Sequence, residues 1–296
     1  MINKSGDIMN NKNIAIIPNL TKNGAYETSL NVISILRQYG VNVMMAEDMK
    51  PKYKEFGVIF FPDCEQLISN CDIVLTIGGD GTIIHAAQHA SILKKPLLGI
   101  NMGRLGFVAG IEPDELHMLK KLISGDYTTE KRMMLKITHI SQNGHKEFFA
   151  LNDTVISRGS LSRLIDIDVS LGKSYICHYR ADGLIISTPT GSSAYSLSAG
   201  GPVVEPTMRC ILMTPICSHS LFARSVVFDH SSELVVSAAC DDGTEVFLSI
   251  DGQQTVILNR TDKVTVTSAE IETELINLKD KTFYRVLNDK FAEKGG

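Results

Sequence analysis

Short apolar runs separated by glycine, asparagine and proline fill the first 125 residues, and apolar–polar alternation dominates most of the remaining chain. Ile14 to Ile17, Val41 to Met45, Ile73 to Ile77 and Leu97 to Ile100 each read as a buried strand. Ala25 to Tyr39 has helical spacing, with Leu30, Ile33, Leu36 and Tyr39 near one side, and Gly40 ends it. This β-α-β opening predicts a parallel sheet. Met49 to Phe61 is less regular and reads as a surface insertion. Thr82 opens a further helical pattern that Lys94-Lys95-Pro96 breaks. Pro113 starts another helix, with Asp114 and Glu115 in its first turn and Gly125 past its end.

The texture changes at Asp126. Leu135 to Ile140 alternates, Asn143-Gly144 marks a hairpin turn, and Glu147 to Ser157 returns as a strand. Further strands are expected at 164–169, 176–179, 184–187, 225–228, 234–237, 246–250 and 264–267. Thr282 to Phe291 has helical spacing again. The fold class is therefore an α/β N-terminal domain with a parallel sheet, then an all-β C-terminal domain, with a C-terminal helix packing back on the first domain. The expected divisions are 1–125, 126–265 and 266–296.

Composition narrows the function classes. At 296 residues, with 44% hydrophobic and 21% charged, the chain reads as an ordinary soluble enzyme of two domains. A formal net charge of −4 argues against recruitment of nucleic acid or an anionic membrane. Met1 to Asn13 is polar and does not read as a signal peptide, and no apolar stretch is long enough to span a bilayer. A cytoplasmic location is expected. The six cysteines form no C-x-x-C pair, which argues against structural zinc. His85 and His89 lie one helical turn apart without the intervening Glu of a zinc protease, so they read as helix-surface residues and no metal ligand is assigned.

Three stretches carry candidate chemistry. In Gly78-Gly79-Asp80-Gly81-Thr82, a buried strand runs into glycines and a helix start. There backbone N–H groups and the positive end of a helix dipole suit a phosphate. The pattern is neither the Walker sequence nor G-x-G-x-x-G. A carboxylate repels phosphate unless a cation or a reacting hydroxyl lies between them, so Asp80 is the candidate for chemistry. The second stretch, Thr188 to Pro202, is rich in small residues and hydroxyls, so backbone approaches a ligand closely; Tyr195 offers a ring to stack on a base. Upstream of it, Asp182 offers an acceptor for ribose hydroxyls or an exocyclic amine. The third is Asn152-Asp153, which taken alone is an ordinary turn.

These stretches, in this order and at this separation, resemble the NAD kinases, and the similarity runs from about Ile14 to Phe291. Lipid kinases of the diacylglycerol and sphingosine type and phosphofructokinases carry similar glycine–aspartate turns, but the Thr-Pro-Thr-Gly stretch is far closer to NAD kinases. The resemblance implies ATP-dependent phosphorylation of the 2′-hydroxyl of the adenosine ribose of NAD, giving NADP. It implies Asp80 as general base, with Gly78, Gly79, Gly81 and Thr82 beside it. Asn152 and Asp153 match an Asn-Glu pair that holds the NAD ribose and amide; Asp153 is the shorter acid. Arg163, Arg180, Asp182 and Gln253 fall at NAD-site positions. Ser193, Ala194, Tyr195, Ser196, Leu197 and Ser198 match the segment around the adenine. Mg²⁺ or another divalent cation is implied with ATP, and a homotetramer or homodimer as the assembly. The competing readings are a lipid kinase on the same architecture and a dinucleotide sensor without catalysis.

Overall fold

A computed structural model describes residues 12–103, 106–159, 163–220, 223–240, 245–279 and 283–293. Most of residues 1–13, and Arg104 and Leu105 of the loop after Ile100, lie outside the described residues. The first elements are β1 (Asn13–Pro18), α1 (Ala25–Gln38), β2 (Asn42–Ala46), α2 (Lys50–Tyr53), β3 (Ile59–Phe61), α3 (Cys64–Asn70), β4 (Ile73–Gly78), α4 (Asp80–Ile92), β5 (Leu97–Asn101) and α5 (Leu119–Ser124). Next come β6 (Thr128–Ser141), β7 (Gly144–Ala150), β8 (Asp153–Arg158), β9 (Ile165–Leu171), β10 (Ser174–Ala181), β11 (Gly183–Ser187) and α6 (Tyr195–Ser198). The chain closes with β12 (Cys210–Ile216), β13 (Val226–Asp229), β14 (Leu234–Ala239), β15 (Val246–Ile250), β16 (Gln254–Leu258), β17 (Lys263–Asn277) and α7 (Phe283–Glu293).

Contacts divide the chain into two units, 1–131 with 273–296, and 132–272. Both seams run through a long strand, β6 and β17, and no Gly/Pro-rich linker or change of pattern marks them; the sequence-based divisions at 125/126 and 265/266 instead follow the texture of the pattern.

The first unit is α/β. Its strands lie in the order β3-β2-β1-β4-β5, all parallel, with Ile14 opposite Val43 and Ile73, and Ile77 opposite Ile100. Every residue of β4 and β5 is buried, the continuous apolar pattern of a parallel sheet covered on both faces. Leu275 of β17 pairs with Leu97, and α7 sets the Phe283 ring 5.8 Å from that of Phe107. The stretch at 49–61 is not a surface insertion. It holds α2 and the edge strand β3, and the Tyr53 ring is fully buried with its hydroxyl 2.7 Å from that of Ser29. Strand β3 is too short to announce itself by periodicity.

The second unit is an antiparallel β domain. One sheet has the order β13-β12-β11-β8-β15-β16; the other carries β10-β9-β14-β17, with β6 pairing β17 and β7. Ile156, Leu184, Met213 and Leu248 of the first share one core with Ile137, Ile167, Val236 and Val266 of the second. Glu147 to Ser157 is not one strand. It breaks at Leu151-Asn152, and the chain passes from β7, paired with β6, to β8, in the other sheet. The break leaves a short crossing between the two sheets at 151–153, a loop of Leu151 and Asn152 that ends on Asp153, the first residue of β8.

Candidate functional site

In the first unit β1 lies between β2 and β4, so successive connections leave the sheet in opposite directions there. That switch point is where open α/β sheets hold ligands, beyond the carboxyl ends of the strands. Asn19 follows β1, and Gly78 ends β4 and leads through Gly79 into Asp80. The Asn19 amide donates to the Thr82 hydroxyl at 3.2 Å and accepts from the Thr21 hydroxyl at 2.7 Å, lacing the two loops together. Helix α4 begins at Asp80, two residues before the expected Thr82, with Gly79 as its N-cap and no side chain capping it. The glycines here do not adopt left-handed backbone. Gly78 is required by contact, because a Cβ there would overlap the Thr82 side chain; around Gly79 and Gly81 there is open space. Asp80 accepts from the Phe107 N–H at 3.2 Å, and a Cβ on Gly106 would overlap its carboxylate. Glycine at 106 therefore lets this acid fold against the loop after β5. His85 is exposed and its ring lies 5.9 Å from that of His89, in keeping with the helix-surface reading.

The second unit holds a cleft of about 390 Å³. Asn152, Asp153, Ala194 and Tyr195, all expected from the sequence, line it together with Asp251 and Ser249, which were not. Tyr195 is half-exposed at 47%, leaving its ring accessible for stacking. The Asn152 Oδ1 is buried with no hydrogen-bond partner within the protein, an acceptor with its desolvation cost unmet. Burial pushes the Asp153 carboxyl up to about 7, and the neighbouring Asp251 charge adds to the rise.

The other expected residues take different settings. Ser193 donates to the Thr190 carbonyl at 3.2 Å, and the buried Ser196 hydroxyl lies 3.1 Å from that of Thr214. Leu197 is half-buried, and Ser198, Arg163 and Arg180 are exposed. Gln253 closes the β15–β16 turn, next to Asp251 and Gly252 of the cleft. Asp182 is held by Arg158, Nε to Oδ1 at 2.6 Å, while the Arg158 N–H donates to the Asp182 carbonyl at 3.1 Å. Arg158, Asp251 and Asn19 gave no signal in the sequence beyond their residue type, since each acts through a contact with a distant segment.

Among the described residues one cluster of carboxylates has metal-ligand spacing, Glu112, Asp114 and Glu115. Two of the three are committed: Glu112 and Glu115 form a reciprocal capping box, and Lys279 pairs with Glu115.

Known proteins share both units. Residues 14–127 match the family model of the ATP-NAD kinase N-terminal domain, and residues 151–278 that of the ATP-NAD kinase C-terminal domain. The NAD kinase of Moorella thermoacetica is 38% identical over 286 residues, covering 95% of this chain and 90% of that protein. The NAD kinase of Caldanaerobacter subterraneus subsp. tengcongensis is 35% identical over 287 residues, covering 96% of this chain and all of that one. Among solved structures, yeast NADH kinase complexed with NADH superposes with a TM-score of 0.87 at 26% identity, covering 95% of this chain and 87% of that chain.

Proposed function

This chain belongs to the ATP-NAD kinase family and phosphorylates NAD with ATP as donor; we propose that the acceptor is the 2′-hydroxyl of the adenosine ribose and that Asp80 is the general base. What supports the assignment of Asp80 is its setting: the one carboxylate on a glycine turn at a sheet switch point, with glycine at 106 giving it room. A ribose hydroxyl is a poor nucleophile, and phosphoryl transfer passes through a loose transition state, so positioning outweighs full deprotonation. Asp80 orients the hydroxyl and takes its proton late. Backbone N–H groups around Gly79 and Gly81, at the positive end of α4, receive phosphate oxygens.

NAD is held by the second unit. Asn152 and Asp153 take the ribose and amide, Ser193 to Ser198 surround the adenine with Tyr195 as the stacking ring, and Arg163, Arg180, Asp182 and Gln253 complete the set. A divalent cation fits as a companion of the triphosphate, because Asp80 is a lone carboxylate at the turn and two acids of the described three-carboxylate cluster are committed elsewhere. When bound, the cation neutralises phosphate charge. Further elements of this reading are Mg²⁺ as that cation, a homotetramer or homodimer as the assembly, and the cytoplasm as the compartment. The six free cysteines accord with a reducing compartment.

Purified protein incubated with Mg-ATP and NAD, with NADP read by an NADP-specific dehydrogenase, tests the reaction. NADP from wild type, and formation slowed by at least ~100-fold in Asp80→Asn, is the expected outcome. Folded wild type that makes no NADP with any nucleotide or polyphosphate donor overturns it.

A further inference from the structure

The loop Leu151-Asn152-Asp153 has every backbone polar group engaged by the protein itself. The N–H groups of Leu151, Asn152 and Asp153 all donate to the Asp251 carboxylate, at 2.9, 2.8 and 3.0 Å. The Asp153 carbonyl accepts from the Asp251 N–H at 2.9 Å, and the Asn152 carbonyl from the Thr188 N–H at 2.8 Å. The Leu151 carbonyl accepts from the Thr188 hydroxyl at 2.6 Å. Three successive N–H groups turned toward one point form a concave anion site. Here that site is filled by a carboxylate of the same chain, from 100 residues further on. Ligand recognition by this loop is thereby left to side chains, the Asn152 amide and the Asp153 carboxyl, both of which line the cleft.

A plainer role for Asp251 exists and is separable. Asp251 and Gly252 have φ of +49° and +67°, and Gln253 N–H donates to the Ile250 carbonyl at 3.0 Å, the geometry of an Asp-Gly hairpin turn. Asparagine serves that turn equally well. It does not serve the loop, because an amide has one acceptor oxygen where Asp251 uses two, and its NH₂ would confront the Leu151 N–H.

We propose that Asp251 is a positioning residue for the dinucleotide site, its carboxylate fixing the loop at 151–153 so that Asn152 and Asp153 meet the substrate in one arrangement. The proposal rests on the reading of this cleft as the NAD site. Asp153, Asp251 and Tyr195 are the titratable groups that line it, so the charge on Asp251 also acts on Asp153.

Asp251→Asn keeps the turn and removes the anchor, which makes it the test. At pH 8.5 KM for NAD rises at least ~10-fold while KM for ATP stays within about twofold. The acid limb of kcat/KM for NAD moves to lower pH, because Asp153 has lost a negative neighbour. Amide hydrogen exchange, read on the free protein, speeds up at 151–153 and stays slow in β12. A purely structural Asp251 would instead lower kcat in proportion to the folded fraction and leave KM and the pH limb in place; that result overturns the proposal, as does unchanged exchange at 151–153. Wild type inert toward NAD sinks the underlying reading, while the exchange measurement still decides whether the anchor exists. If Asp251→Asn does not fold, Thr188→Val removes the hydroxyl holding the Leu151 carbonyl and must raise KM for NAD in the same direction; no rise overturns the proposal.

Discussion

From Gly78 to Thr82, where β4 passes into α4, three of five residues lack a side chain, and a Cβ at Gly79 or Gly81 would meet open space. At the loop after β7, the backbone is closed off by Asp251 and Thr188, and two side chains carry the polarity that remains. On the assignment proposed above, with phosphate at the first region and the dinucleotide at the second, the contrast follows from the two ligands. Phosphate is a compact anion that N–H groups recognise without help, and one acid is then enough for proton transfer. A dinucleotide presents many weak donors and acceptors, so its site needs side chains held at fixed positions. Added bulk should therefore damage the first region, and loss of an anchor the second.

The largest effect that sharpens this contrast is at Asp80. Asp80→Asn lowers kcat by roughly 10²–10⁴-fold, as for a lost general base. Steady-state rates at saturating NAD and ATP measure it; near-normal kcat removes Asp80 from the chemistry. Next is Gly106→Ala, whose Cβ would displace the Asp80 carboxylate and cost on the order of 10²-fold in kcat, with the melting temperature little changed. Gly191→Ala is its counterpart in the second unit. Its Cβ would overlap the Asn152 backbone, so KM for NAD rises, by roughly 10-fold or more, ahead of any loss in kcat. Equal kcat losses in the two glycine variants, with KM untouched, would erase the distinction.

A smaller effect is the pH dependence of Asp153. Its carboxyl is raised to about 7 by burial and by Asp251, above its unfolded value. Its contribution to stability is greatest below the unfolded pKa near 4 and is lost as pH rises to about 7, where the buried carboxyl ionises. Urea denaturation at pH 5 and pH 8 reads this, and Asp153→Asn flattens the difference. Accepting from ribose hydroxyls favours the ionised form, so NAD affinity rises with pH through the same range. Least is expected of Arg158→Ala. Its pair with Asp182 is partly exposed and worth about 1 kcal/mol or less, so stability hardly moves, while KM for NAD records any freedom Asp182 gains.

Much of the fold could be read from pattern. Strand β4 is a continuous apolar run, and β9 buries Ile165, Ile167 and Val169 in strict alternation, each as its sheet type requires. What escaped were mostly short or interrupted elements, together with β16 and with β12, a buried strand of seven residues that was not expected. Strand β3 has three residues, fewer than any periodicity needs, and α3 has seven, entered through an Asp63 cap that donates nothing to the apolar pattern. The break between β7 and β8 was invisible because Phe148 to Ile156 stays mostly apolar on both sides of it.

The candidate site divides the same way. Asp80 and Tyr195 stand in local stretches of unusual composition; Asn152-Asp153 alone reads as a turn, and the resemblance to a known family numbered that pair and the remaining positions. Asp251, which holds Asn152 and Asp153, and Gly106, which admits Asp80, act across long separations in the chain. Sequence spacing carries no trace of such contacts.

The most direct test of the division of labour is a paired steady-state measurement on Asp80→Asn and Asn152→Ala, varying NAD at saturating Mg-ATP. Asp80→Asn is expected to lose kcat with KM for NAD within about threefold of wild type, and Asn152→Ala to raise KM while kcat stays within about threefold. The opposite pattern, with Asp80→Asn raising KM and Asn152→Ala lowering kcat alone, would contradict it.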